Sequence, residues 1–162
     1  MKCLVNLNFS ENKITELPDH IFDNLENLEH LDFSNNLIEN IKPKIFLNLK
    51  KLVHLDFSNN KIKILPNDVF CNLKELNLLN FNNNLVTELK NGTFLNLKKL
   101  KTLIFSNNKI TGFPDIFETF ENCLELLHFQ NNFIKELPSP PSQPNCCDEI
   151  KFTYAFLTKR IE

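Results

Sequence analysis

Glycine is almost missing from this chain: there are two in 162 residues. Loops that cradle phosphate need bare backbone and the left-handed turns that glycine supplies, so no phosphate-binding loop is expected. Tryptophan is absent, and tyrosine and methionine occur once each. No apolar run is long enough to span a bilayer as a helix. The opening stretch, MKCLVNLNFSENK, has no sustained apolar segment of the kind that leads a secreted chain. A net charge of −2 leaves no global basic footprint for nucleic acid or an acidic membrane. Five cysteines (Cys3, Cys71, Cys123, Cys146 and Cys147) are an odd, irregularly spaced set. That is a poor disulfide framework. Free thiols in a reducing, intracellular and cytoplasmic setting are expected. Two sequons, Asn8-Phe9-Ser10 and Asn91-Gly92-Thr93, matter only in a secreted chain.

What is abundant is order. The string HLDFSNN occurs at His30–Asn36 and again at His54–Asn60. The interval of 24 runs through the chain: Leu4, Leu28, Leu52, Leu76, Leu100 and Leu124 share it. Three residues on stand Leu7, Leu31, Leu55, Leu79, Leu103 and Leu127. Two further stand Phe9, Phe33, Phe57, Phe81, Phe105 and Phe129, which account for six of the 16 phenylalanines. An asparagine column follows, at Asn12, Asn36, Asn60, Asn84, Asn108 and Asn132. After it come an Ile/Val column from Ile14 to Ile134, a second Phe column (Phe22, Phe46, Phe70, Phe94), and Leu25, Leu49, Leu73 and Leu97. A fixed period of this length marks a stacked-repeat architecture.

The pattern LxxLxFxxNxIxxLxxxxFxxLxx resembles the leucine-rich repeat in its 24-residue form, with Phe in place of Leu at the sixth position. The resemblance covers roughly residues 4 to 137. The Asn-, Lys-, Phe- and Ile-heavy composition also resembles proteins of AT-rich genomes, such as those of protists or amoeba-infecting giant viruses. The family resemblance implies an α/β-type solenoid, a horseshoe with a parallel β-sheet on its concave face and irregular or short helical turns on its convex face. It also implies that the Asn column bonds to backbone of the neighbouring turn as a ladder.

The residues themselves argue the same way. Positions 4 and 6 of each repeat obey the strand period of two and point to one side. Each strand is too short to stand alone, so neighbours must supply its core. Pro18, Pro66, Pro114 and Pro138 open the return segments and discourage a continuing strand. One domain, 1–162, is expected, with repeats starting at Leu4, Leu28, Leu52, Leu76, Leu100 and Leu124. Residues 138–162 would form a Pro-rich turn and a degenerate capping strand. Cys147, Ile150 and Phe152 repeat the 1-4-6 spacing and predict a seventh strand near Ile150–Ala155, a helix over Asp148–Lys159 being the alternative. Phe117 and Phe120 fall one residue early, which predicts a local bulge in the fifth return segment. At the first strand three alternatives stand: Leu7 and Phe9 lie at an exposed edge, the chain dimerises there, or it is truncated.

Outward-facing strand positions carry the functional reading. Position 3 reads Asn6, His30, His54, Leu78, Thr102, Leu126; position 5 reads Asn8, Asp32, Asp56, Asn80, Ile104, His128; position 7 reads Ser10, Ser34, Ser58, Asn82, Ser106, Gln130. Apolar Leu78, Ile104 and Leu126 beside polar neighbours suit a protein or peptide partner. The expected binding set is His30, Asp32, His54, Asp56, Leu78, Asn80, Thr102, Ile104, Leu126 and His128. His30, Asp32 and Ser34 do not make a hydrolase triad: outward residues two apart stand about 6.6 Å from each other and run in rows. His30, His54, Asp32 and Asp56 have ligand chemistry, but an open sheet lacks the second shell that orients a metal site, and no metal is expected. Lys50-Lys51 and Lys98-Lys99-Lys101, mixed with Glu26, Glu29 and Glu75, read as a solvated mixed-sign face. No enzyme activity, cofactor, nucleic acid or membrane partner is expected. The alternative role is structural, packing through the first-strand edge.

Overall fold

The computed structural model describes residues 3–113 and 124–136, together with the backbone of 151–152. Seven strands form one sheet: β1 (Asn6–Asn8), β2 (His30–Asp32), β3 (His54–Asp56), β4 (Leu78–Asn80), β5 (Thr102–Ile104), β6 (Leu126–His128) and β7 (Lys151–Phe152). They stand in chain order, each paired in parallel with the next. From β1 to β6 the register equals the repeat, so Leu7, Leu31, Leu55, Leu79, Leu103 and Leu127 lie side by side. At β7 the register departs from the spacing of Cys147, Ile150 and Phe152. Leu127 pairs with Phe152, two residues beyond the expected Ile150. The fifth-repeat slip, Pro114, Leu137, Pro138 and Cys123, Cys146 and Cys147 lie outside the described residues.

Three-residue strands succeed because stacking buries what each leaves open. Two phenylalanine columns run through the core. Phe9, Phe33, Phe57, Phe81, Phe105 and Phe129 stack with ring centroids 5.6–6.0 Å apart. Behind them Phe22, Phe46, Phe70 and Phe94 stack at 6.1–6.4 Å. The planes are near-parallel within each column, and the fixed period makes neighbouring rings offset copies of one another. Leu28, Leu52, Leu76 and Leu100, and Ile38, Ile62, Val86 and Ile110, are fully buried between them.

The chain turns out of each strand on asparagine. Asn60 Nδ2 donates to the carbonyls of Phe57 and Ser58 in its own repeat and of Phe33 in the one before. Its Oδ1 accepts from the Ile38 N–H at 3.0 Å. Asn36, Asn84 and Asn108 repeat all four bonds. A buried amide is thereby satisfied on both sides of the repeat boundary, as burial of a polar group demands. Asn132 accepts from Ile110 and donates to Phe105 and Phe129. Asn12, in the first rung, is exposed and holds only Phe9 and Ser10 of its own repeat.

Of the irregular or short helical turns expected on the return side, the irregular form is what occurs: there is no α-helix among the described residues. Chained i→i+3 turns replace it, such as Leu49 N–H to Phe46 O and Leu52 N–H to Leu49 O, each 3.1 Å. Each of the first four repeats also takes the left-handed backbone twice. One column is Glu11, Asn35, Asn59, Asn83, Asn107 and Asn131, with φ from 50° to 59°. The other is His20, Lys44, Asp68 and Gly92, with φ from 58° to 86°. Scarce glycine therefore does not mean scarce left-handed turns. Asparagine, the residue that best tolerates that region after glycine, fills most of the first column.

Candidate binding face

The parallel register sets the outward residues in rows across the sheet. One row is Asn6, His30, His54, Leu78, Thr102 and Leu126; the next is Asn8, Asp32, Asp56, Asn80, Ile104 and His128. All ten expected binding residues therefore lie on one face. His54 is exposed, and the other nine are half-buried by their row neighbours. Leu78, Ile104 and Leu126 occupy three adjacent strands, Leu78 and Leu126 flanking Thr102 and Ile104 lying diagonally between them.

The position-5 row has a structural duty that the outward reading missed. Asp32 Oδ1 accepts from the Ser34 N–H at 2.9 Å, and Asp56 Oδ1 from the Ser58 N–H at 2.9 Å and the Ser58 hydroxyl at 2.7 Å. Asn8 does the same for Ser10, and Asn80 for the Asn82 N–H. Each side chain closes the turn out of its own strand. Amides finish the row: Asn8 Nδ2 donates to Asp32 and Asn80 Nδ2 to Asp56, at 3.2 and 2.7 Å. The Asp-Phe-Ser spacing, acceptor two residues before the donor, was the available sequence signal.

At β5 and β6 the face abandons that duty. Ile104 and His128 stand where the acceptor was. Ser106, 2 % exposed, is left with a hydroxyl lacking a partner among the described residues, as are Asn82 Oδ1 and Gln130 Oε1. Position 7 also needs correction: Ser34, Ser58 and Ser106 are buried beneath the face.

The His30 and His54 rings meet edge-on with centroids 4.5 Å apart. Although His54 is largely open to solvent, the partial desolvation of its ring, and secondarily the neighbouring His30, hold its imidazole below its ordinary pKa. Asp32 and Asp56 spend their oxygens on turn and amide donors, and Ser34 is buried. His30, Asp32 and Ser34 therefore stay in rows. Among the described residues no three His, Cys, Asp or Glu side chains converge to hold a metal ion. No helix there is long and apolar enough to cross a membrane. The lysines pair across repeats, Lys99 with Glu75 at 2.6 Å and Lys101 with Glu125 at 2.7 Å, on an exposed surface.

A six-copy match to the BspA type leucine-rich repeat region spans residues 1–127. The chain belongs to the leucine-rich repeat family. Among solved structures, this repeat protein is similar to the leucine-rich repeat domain of APL1B, at 25% identity and a TM-score of 0.71. The match covers 78% of this chain and 38% of that one, so the repeat protein spans well under half the length of that relative. No curated protein sequence matches it. Leucine-rich repeats are a common protein–protein interaction fold, and a fold of such wide use does not name a partner.

Proposed function

We propose that this chain is a non-catalytic, intracellular module that binds a protein or peptide on the open face of its sheet. The observation that carries the reading is the apolar group Leu78, Ile104 and Leu126 on β4–β6. It replaces residues that, in β1–β3, are polar and at position 5 close the turn. Giving up a turn-closing bond for an outward Ile costs stability and yields apolar display, the trade expected of a binding surface. His54 and His30 continue the Leu78 row toward β2, and His128 lies on β6 beside Ile104, so polar side chains border the apolar group.

Curvature supports a concave binding face. Equivalent groups in successive repeats are displaced further apart the deeper they lie behind the sheet. Strands are about 4.8 Å apart. The front Phe column steps by 5.6–6.0 Å and the rear column by 6.1–6.4 Å. Layers that fan apart at the back close in on the sheet side. An intracellular setting is supported by Cys3 and Cys71, both free thiols.

The test uses the molecule's own repeats as a template. Leu78→His with Ile104→Asp converts β4 and β5 toward β2 and β3, whose environment already accepts those residues. A partner captured by the wild-type chain and lost by a folded double variant is the expected result. Equal capture by both chains, or capture by neither, overturns the open-face reading.

A second reading, self-association at the β1 edge, draws on Leu4, Leu7, Phe9 and Ile14. These are only half-buried where most of their counterparts in later repeats are buried. Sizing by light scattering across a concentration series decides it: a constant monomer mass excludes that role.

A further inference from the structure

Asn91 and Gly92 form the apex of the return turn in the fourth repeat, and both are exposed. The turn is closed by the Thr93 N–H on the Lys90 carbonyl at 3.0 Å and by the Leu95 N–H on Gly92 O at 3.0 Å. Gly92 has φ +86°, and no atom lies within 4 Å of the place a Cβ would occupy. Neither the Asn91 side chain nor the Gly92 N–H takes part in a hydrogen bond among the described residues. An unprotected side-chain amide thus sits next to an unhindered, unengaged backbone nitrogen. The ladder asparagines are the opposite case, with Asn36, Asn60, Asn84 and Asn108 held by four bonds each and buried.

We propose that Asn91 is a site of spontaneous covalent modification, converting through a cyclic imide with Gly92 to aspartate and isoaspartate. The Gly92 nitrogen attacks Asn91 Cγ, forming the ring N–C bond. The Cγ–NH2 bond breaks, and ammonia departs with the proton that the Gly92 nitrogen gives up. Water then opens the ring at either carbonyl, giving aspartate from one and isoaspartate from the other. The balance is asparagine plus water to a carboxylic acid plus ammonia, with no oxidant or catalyst.

The fold provides its own control. Asn67-Asp68 occupies the same place one repeat earlier, exposed, with φ 58° at Asp68 and the matching Cys71 N–H to Asp68 O bond at 3.0 Å. The difference is the side chain on the second residue, which shields the nitrogen and stiffens the backbone. Conversion also has an electrostatic consequence. Asn91 lines a shallow groove with Glu88 and Lys109, whose charges cancel. A carboxylate at 91 makes that groove net acidic, on the turn side of the molecule and away from the sheet face.

The experiment ages the full chain at mildly alkaline pH and physiological temperature. Peptides spanning Asn67 and Asn91 are then followed by mass spectrometry. The Asn91 peptide should become one dalton heavier and resolve into two products, one of which accepts a methyl group from isoaspartyl methyltransferase used as a reagent. The Asn67 peptide should lag severalfold, and Gly92→Asp, copying the neighbouring turn, should slow position 91 to the Asn67 rate. An Asn91 peptide that stays intact, that converts no faster than Asn67, or that keeps its rate in Gly92→Asp overturns the proposal.

Discussion

Repeats one to three and repeats four to six are built on one template and differ on one face. In the first group position 5 is Asn or Asp, and it spends its oxygen on the turn that ends the strand. In the second group only Asn80 still does so; Ile104 has no acceptor to offer, and His128 makes no such bond among the described residues. The core beneath is the same: Phe33, Phe57, Phe81 and Phe105 are all fully buried. The difference teaches that the buried columns are held by packing, which tolerates only exchange among apolar side chains, such as Val86 for Ile, while the outward rows answer to something else. Where an outward residue also closes a turn, its chemistry is explained by the fold alone. Where it stops closing the turn, the fold no longer explains it.

The largest expected effect lies under both halves. Asn60→Ala strands three carbonyls and the Ile38 N–H, so it should cost on the order of 3 kcal/mol in urea unfolding. Asn12→Ala, in the exposed first rung, should cost under about 1 kcal/mol. Equal losses at the two positions would mean the ladder does not work across the repeat boundary. Next, Asp56→Ile imposes the second-half arrangement on the first. It removes acceptors for Ser58 N–H, Ser58 Oγ and Asn80 Nδ2 and should cost about 2 kcal/mol. The reverse exchange, Ile104→Asp, offers Ser106 its missing acceptor and should raise stability by about 1 kcal/mol while weakening partner capture. A fall in stability from that change would break the comparison. Lys44→Gly relieves a left-handed lysine and should raise stability by about 0.5 kcal/mol, with Gly92 as the natural precedent.

The smallest effect is a pH dependence at the His pair. The His54 pKa is lowered in the folded chain, first by partial desolvation of its ring and then by His30. The unfolded chain therefore binds more protons, and stability is lost as pH falls through about 6.5. Thermal melts should show a slight decline there in the wild type and a flatter profile in His54→Asn. An unchanged slope would detach the decline from His54.

Much of this was legible because the repeat amplifies weak signals. A single LxxLxF would not fix a strand, but six in register fix the order, the pairing and the inward side. The outward set at position 5 was read only in part. An Asp such as Asp56 on a strand face looks like a ligand-facing residue, and only the partner two residues on, Ser58, reveals that it closes a turn. The left-handed columns were hidden for a different reason. Asn35 and Asn59 look like filler in an Asn-rich chain, and His20 and Lys44 carry no sign of positive φ.

The pairing register has a kinetic consequence. From β1 to β6 every strand finds its partner 24 residues away, never farther. Closing a loop of that length costs about 3 kcal/mol of chain entropy, and the cost is the same at each step. Growth of the stack can therefore begin at any adjacent pair and advance in either direction by equal increments. Folding of such a chain should be fast for an all-β molecule and insensitive to how many repeats are added, since no contact waits on a distant one.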